Sequence, residues 1–284
     1  SLESEPFSPE MEVWKAQKEI RKRLCMQQIY YNGAPQRYSW INEDKKEGSP
    51  FELRFTFEVR EDVEGACYAV IEKSRAFQVS LDGLPLTLTD GFYIDHAMNK
   101  WLIPNLSQGV HFLNISGIYT QEIELEDIYI IGEFAVDIER KICRERGTLH
   151  FGDWTSQGYF HYPGSIIYEF ELPCCTDEKK RYILKMGEYR ATVTEVRING
   201  KHAGILMGNT KRELDITEWM EKQGNHLEIC VTGSPRNLFG PFHQTYTGCS
   251  RISWADFRTE GSFYTSEYVL EPYGIMGQII IYMK

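Results

Sequence analysis

No apolar run in this 284-residue chain approaches the roughly 20 residues needed to cross a bilayer. No charged-then-apolar leader opens it either. A soluble chain with no membrane partner is the expectation. Positive charge is also scarce: 31 Lys and Arg stand against 41 Asp and Glu, for a formal net charge of -10. No basic stripe interrupts that excess, so phosphate backbones would be repelled and nucleic acid is not an expected partner. A neutral polar ligand is compatible with it.

Signature motifs are missing as well. The chain has no His-Glu-x-x-His, no Cys-x-x-Cys, no Gly-x-Ser-x-Gly and no Gly-rich phosphate loop. Neither a metal nor a cofactor is expected. The seven Cys are odd in number and scattered, several inside apolar strands, which fits reduced thiols and a cytoplasmic protein better than a disulfide framework. Adjacent Cys174 and Cys175 have no His beside them and cannot both face one zinc without a sharp turn, so they read as structural. The opening Ser1-Leu2 lacks Met, from which a missing natural start and a larger parent chain are expected.

What is abundant is aromatic: 17 Tyr, 15 Phe and 6 Trp, enough for globular β cores. One helix is expected, from Ser8-Pro9 to about Gln28, because a capping Ser, a first-turn Pro and the acids Glu10 and Glu12 suit a helix start. Val13, Ala16, Ile20 and Leu24 form its apolar stripe, so it should lie on a surface and contribute little to any core. From Phe51 the period becomes two. Phe51, Leu53, Phe55, Phe57 and Val59 alternate with Glu52, Arg54, Thr56 and Glu58, the pattern of a strand with one buried face. Further strands are expected at 66–71, 76–81 and 110–117, with turn chemistry at Asp82-Gly83. Short strands without helical crossovers predict antiparallel sandwiches.

The second half repeats the first. Phe55 to Val59 matches Tyr168 to Leu172, Val79 to Gly83 matches Val196 to Gly200, and Gln108 to Gly117 matches Gln223 to Gly233, in the same order. The expected division is a helical segment over 1–28, one β-sandwich over 29–140 and a second over 141–284. Tyr168 to Leu172, Val196 to Gly200, Leu214-Asp215-Ile216-Thr217 and Gly224 to Ile229 resemble the jelly-roll sugar-binding domain of glycoside hydrolase family 2 and of bacterial rhamnosidase-like enzymes. Glu126 to Phe134 and Tyr273 to Gly277 resemble linking and closing segments of the same proteins. The resemblance covers roughly residues 50–284 and implies a galactose-binding-like jelly-roll fold; with the repeat and the helix start, the expected chain is all-β, two tandem jelly rolls preceded by a helix. The resemblance also implies a partner, the catalytic domain of the parent chain, since the catalytic acids of those enzymes lie in a separate barrel.

The stretch Arg236 to Gln244 is the sharpest functional signal in the residues themselves. It follows an apolar strand and combines Arg, Asn, His and Gln with two Phe around a Gly-Pro break, so it is a loop with polar side chains to present. A pyranose has a C–H face that suits an aromatic ring and hydroxyls that suit Arg, Gln and His. Two loops, 152–164 and 236–254, carry that mixture. Trp154, Tyr162, Arg236, His243, Gln244 and Trp254 are therefore the expected contacts for a neutral sugar or glycan end. The same aromatics could equally seal a sandwich end. An inert interdomain scaffold and a self-contained glycosidase with two opposed carboxyls stay open as alternatives.

Overall fold

The computed structural model describes residues 6–28, 48–173, 179–207, 212–222, 224–245, 252–253, 256–257 and 260–284. The chain is all-β apart from short helices and forms two compact units. Unit 1 comprises Ser1–Phe134 with Lys141–Glu145, and unit 2 comprises Ala135–Arg140 with Arg146–Lys284. Trp254, Gln223, Cys174, Cys175 and Cys249 lie outside the described residues.

In unit 1 the strands are β1 (Ser49–Val59), β2 (Cys67–Glu72), β3 (Gln78–Leu81), β4 (Leu84–Pro85), β5 (Thr87–Tyr93), β6 (Asp95–Ile103), β7 (Gly109–Tyr119) and β8 (Tyr129–Ile131). Strand β9 (Phe134–Val136) marks the passage to unit 2, and β10 (Ile142–Arg144) returns to pair in parallel with β1. One sheet runs β4-β3-β7-β1-β10 and the facing one β5-β6-β2-β8. β5 and β6 escaped the sequence reading because polar residues such as His96, Asn99 and Lys100 blur their alternation.

Unit 2 contains β11 (Ser165–Leu172), β12 (Tyr182–Met186), β13 (Tyr189–Arg190), β14 (Val193–Ile198), β15 (Lys201–Met207), β16 (Glu213–Asp215), β17 (Asn225–Thr232), β18 (Gly274–Ile275) and β19 (Ile279–Met283). Its sheets run β11-β17-β14-β15, β16-β12-β19 and β13-β18. The order β1-β7-β3-β4 of unit 1 thus reappears as β11-β17-β14-β15. Leu113 lies between Phe55 and Leu81 just as Leu227 lies between Phe170 and Ile198. Phe55 therefore corresponds to Phe170 rather than Tyr168. A two-residue slip keeps every side chain on its face, so alternation alone does not distinguish the two registers.

Both units close on the same corner. Asp82 and Gly83 (φ 50° and 80°) turn β3 into β4, and Asn199 and Gly200 (φ 52° and 73°) turn β14 into β15. Two consecutive positive φ values suit a type I′ turn, which Asp-Gly and Asn-Gly adopt readily. Asp82 Oδ1 accepts the Phe112 N–H at 2.8 Å, and Asn199 Oδ1 accepts the His226 N–H at 2.9 Å. The second side-chain atom of each turn residue ties the preceding residue of the long strand. Asp82 Oδ2 meets His111 Nδ1 at 2.7 Å, and Asn199 Nδ2 donates to Asn225 Oδ1 at 2.9 Å. Burial pushes the Asp82 carboxyl up, but the bonds from Phe112 and His111 and the imidazole's charge outweigh it and hold the carboxyl below its usual range.

The N-terminal helix α1 (Val13–Arg23) departs from expectation. Val13, Ile20 and Leu24 do pack on the unit 1 core. Yet its most buried positions are polar: Gln17 and the fully buried Arg21. Arg21 Nη1 donates to Tyr119 Oη (3.2 Å) and to the Gln121 carbonyl (3.3 Å), while Gln17 Oε1 accepts from Tyr119 Oη (3.3 Å) and the Leu125 N–H (2.5 Å). Met26, just beyond the helix, joins the core. The helix is thus an integral wall of unit 1, because its polar side chains satisfy buried groups that no apolar stripe reveals.

Replacing Asp82 by Ala removes the acceptor of both corner bonds and is expected to lower unit 1 stability by about 1–2 kcal/mol. Asp82→Asn should recover most of that loss, since an amide oxygen still accepts from Phe112 and unit 2 uses an Asn in the same role. Equilibrium denaturation of the three proteins measures both effects.

Candidate functional site

The candidate site is built by the excursion between β17 and β18 in unit 2. After Thr232 the chain forms a single helical turn, α2 (Arg236–Phe239). Asn237, buried in that turn, closes the base of the excursion: its Nδ2 donates to the Glu271 carbonyl at 2.7 Å, and its Oδ1 accepts the Glu271 N–H at 2.8 Å. One side-chain amide thereby stands in for a strand partner. Ser234 and Tyr273 join through their hydroxyls at 2.5 Å, and Asp153 Oδ1 accepts the N–H groups of Tyr273 (3.1 Å) and Thr155 (2.9 Å). Farther out, Val269 N–H donates to Phe242 O (2.7 Å), Thr265 N–H to His243 O (3.0 Å) and Thr245 N–H to Phe263 O (2.9 Å). Residues 242–245 and 263–269 therefore run as an irregular antiparallel pair.

This pairing gathers an open aromatic patch. The exposed Tyr268 ring lies 5.2 Å from Phe242, 5.1 Å from His243 and 6.2 Å from His161, with the Arg140 guanidinium 4.4 Å over its face. His161 Nδ1 bonds the Asn237 carbonyl at 2.5 Å. The ring packs among Phe242 and Tyr268 while the residue stays open to solvent. That burial, with the Arg140 charge, lowers its pKa against the opposing bond to Asn237. A neutral ring whose Nδ1–H is given to a carbonyl offers Nε2 as an acceptor. His243 Nδ1 meets the Thr265 carbonyl at 3.1 Å.

A polar group lies on the same excursion. Gln244 Nε2 donates to Asp256 Oδ1 at 3.1 Å, and Asp256 Oδ2 accepts from the Ser253 N–H at 2.7 Å. Arg236 is half-buried, and burial lowers its pKa while the charges of Glu271, Tyr273 and Asp256 oppose that shift. The guanidinium stays charged. Its Nη1 is buried with no hydrogen-bond partner among the described residues.

Of the expected contacts, Arg236, His243 and Gln244 belong to this excursion. Trp154 does not serve as a platform: it is 0 % exposed, stacked on Tyr273 at 5.7 Å and sealed into the unit 2 core. An indole in a loop is as suited to plugging a core as to meeting a sugar, and here the Asp153 bonds turn it inward. Tyr162 is partly exposed but sits edge-on to Trp154 and Tyr159, with its hydroxyl donating to the Ser165 carbonyl at 3.1 Å. Arg140, His161, Tyr268 and Asp256 were not singled out in sequence. Phe242 and His161 stood within the two loops named there, whereas Arg140 fell at the expected boundary between the two sandwiches.

Two other features bear on chemistry. An apolar groove of about 770 Å³ in unit 2 is lined mainly by Phe151, Phe170, Leu172, Met276, Ile279 and Met283, beside the edge strands β11 and β19. In unit 1, Glu126 is exposed as a residue, but desolvation of its carboxyl pushes the group up to about 7, reinforced by the charges of Glu72, Glu124 and Asp127. It does not line the unit 1 depression of about 440 Å³, which is formed by Arg54, Asp82, Gly83, Val110, Phe112 and Asn114. The paired carboxyls of a glycosidase are not assembled there.

No family model matches the chain, and no curated protein matches it. Similar solved structures include a rhamnosidase from Novosphingobium sp. PP1Y, at 18% identity and a TM-score of 0.35, covering 84% of this chain and 23% of the enzyme. An alpha-L-rhamnosidase of Streptomyces avermitilis, solved with L-rhamnose, is 16% identical with a TM-score of 0.25, over 66% of this chain and 22% of that one. A Pleurotus ostreatus lectin, solved with GalNAc, is 12% identical with a TM-score of 0.22, over 66% and 70%. The chain spans less than a quarter of either rhamnosidase. With TM-scores below one half, these similarities assign no residue a role.

Two outcomes follow for variants. Trp154→Ala empties a fully buried site and should destabilise unit 2 by about 3–5 kcal/mol, read by denaturant midpoint. Glu126 has a folded pKa raised above its unfolded value, so its contribution favours the folded state at low pH and is lost as pH rises from about 4.5 to about 7. Glu126→Gln should therefore flatten the decline in melting temperature across that interval.

Proposed function

We propose that this chain is a non-catalytic, carbohydrate-binding β module of a glycoside hydrolase, and that the excursion between β17 and β18 binds a neutral sugar or glycan end. The observation that carries the reading is the exposed Tyr268 ring, with Phe242, His243 and His161 gathered around it, on the same excursion as the half-buried Arg236 and the Gln244–Asp256 pair. The Tyr268 and Phe242 rings supply an apolar face for the C–H side of a pyranose. His161 Nε2 adds an acceptor for its hydroxyls.

One stacked ring and a few solvent-competing bonds contribute modestly, so the dissociation constant should be on the order of millimolar, about -4 kcal/mol. NMR titration with L-rhamnose, galactose, N-acetylgalactosamine, glucose and glucuronate tests this. Saturable shifts confined to unit 2, weakened by Tyr268→Ala and by Arg236→Ala in a folded protein, are expected. No saturation with any of the five sugars overturns the reading. The apolar groove beside β11 and β19 favours a second one, in which unit 2 serves as a scaffold that buries this edge against another part of a larger hydrolase.

A further inference from the structure

The outer face of the β11–β17 pair carries four side chains in a square. Glu169 stands directly opposite Glu228, and Glu171 directly opposite His226. Like charges facing each other across a strand pair oppose sheet formation. Arg197, opposite Glu228 on the next strand, hydrogen-bonds Glu195 at 2.8 Å and contributes only its charge to Glu228. All three carboxylates face the one imidazole.

The imidazole is oriented in a particular way. His226 Nδ1 meets Glu171 Oε1 at 3.0 Å, while Nε2 faces Glu228 Oε1 at 3.6 Å and Glu169 Oε1 at 4.0 Å. A carboxylate on one ring nitrogen fixes the tautomer and raises the basicity of the other, the arrangement that supports metal-ligating histidines. The three remaining ligand atoms all lie within 4.8 Å of one another. Around a tetrahedral zinc with bonds of about 2.0–2.1 Å, ligand atoms are about 3.3 Å apart. Small rotations of the exposed Glu169 and the half-exposed Glu228 side chains close that difference.

We propose that Glu169, His226 and Glu228 bind one divalent transition-metal cation, with Glu171 holding the imidazole and water completing the coordination. A nitrogen ligand with two carboxylates suits Zn2+ and disfavours Ca2+ and Mg2+, which prefer all-oxygen sets. No short motif announces the site, because its ligands come from two strands more than fifty residues apart in sequence. It is separate from the proposed sugar site and does not depend on it. The competing occupant is a proton on Nε2, which the Glu171 bond and the charges of Glu169 and Glu228 favour. Affinity for metal should therefore fall as pH is lowered through the imidazole titration.

Calorimetric titration of the metal-free full chain with ZnCl2 at pH 7.5, with CaCl2 in parallel, decides the matter. Expected are one saturable Zn2+ equivalent, a rise in melting temperature, and much weaker Ca2+ binding. His226→Ala and Glu228→Gln, both substitutions on an exposed sheet face, should melt cooperatively and lose at least about tenfold in Zn2+ affinity, with a smaller loss for Glu171→Gln. Absence of saturable Zn2+ binding overturns the proposal. So does unchanged Zn2+ affinity in His226→Ala, which would trace binding to thiols elsewhere, or equal affinity for Ca2+.

Discussion

The bond from a turn side chain back to its neighbouring long strand is the constraint on which both units depend. Asp82 and Asn199 each sit at positive φ, each accept the N–H of a residue in the central strand, and each reach the residue before it. The turn sets the local hairpin, while the side chain fixes that hairpin against a strand remote in sequence. Register is then defined at one point, and the alternation of Leu113 and Ile115, or of Leu227 and Ile229, delivers the core residues inward. Unit 1 forms the clamp with a carboxylate and an imidazole, and unit 2 with two neutral amides. The backbone geometry is shared, and the chemistry that satisfies it is interchangeable.

Much of this was legible in the chain. The alternation of β1, the turn dipeptides and the ordered repeat follow from local patterning, and local patterning survives folding. What escaped depended on long-range partners. Nothing near Arg21 indicates that its guanidinium meets Tyr119 and Gln121, about a hundred residues away, so a helix with a surface-like charge pattern proved to be a core element. The register slip at Phe55 has the opposite origin, since period-two alternation is too regular to distinguish neighbouring registers.

The candidate site was legible in composition more than in geometry. Arg, His and Gln beside a Gly-Pro break drew attention to the excursion through residue type alone. Trp154, one of the six expected sugar contacts, is buried: Asp153 bonds the N–H groups of Thr155 and Tyr273, and Tyr273 covers the indole. Tyr268, in a stretch with no distinctive motif, is the ring left open. Side-chain type shows what a residue can contact, and only the tertiary bonds around it decide which face remains to be contacted.

The Asn237–Glu271 amide pair has a consequence for how such a module changes over time. It anchors both ends of the excursion at fixed positions beside the sandwich, so the chain between them begins and ends in the same place whatever its sequence. Lengthening a loop whose ends are already pinned adds only a slowly growing entropic cost, about 0.6 kcal/mol per doubling. The sandwich beneath is insulated from the insertion. Residues 238–270 can therefore vary as a replaceable cassette on a constant socket, and one scaffold can present different surfaces without renegotiating its core.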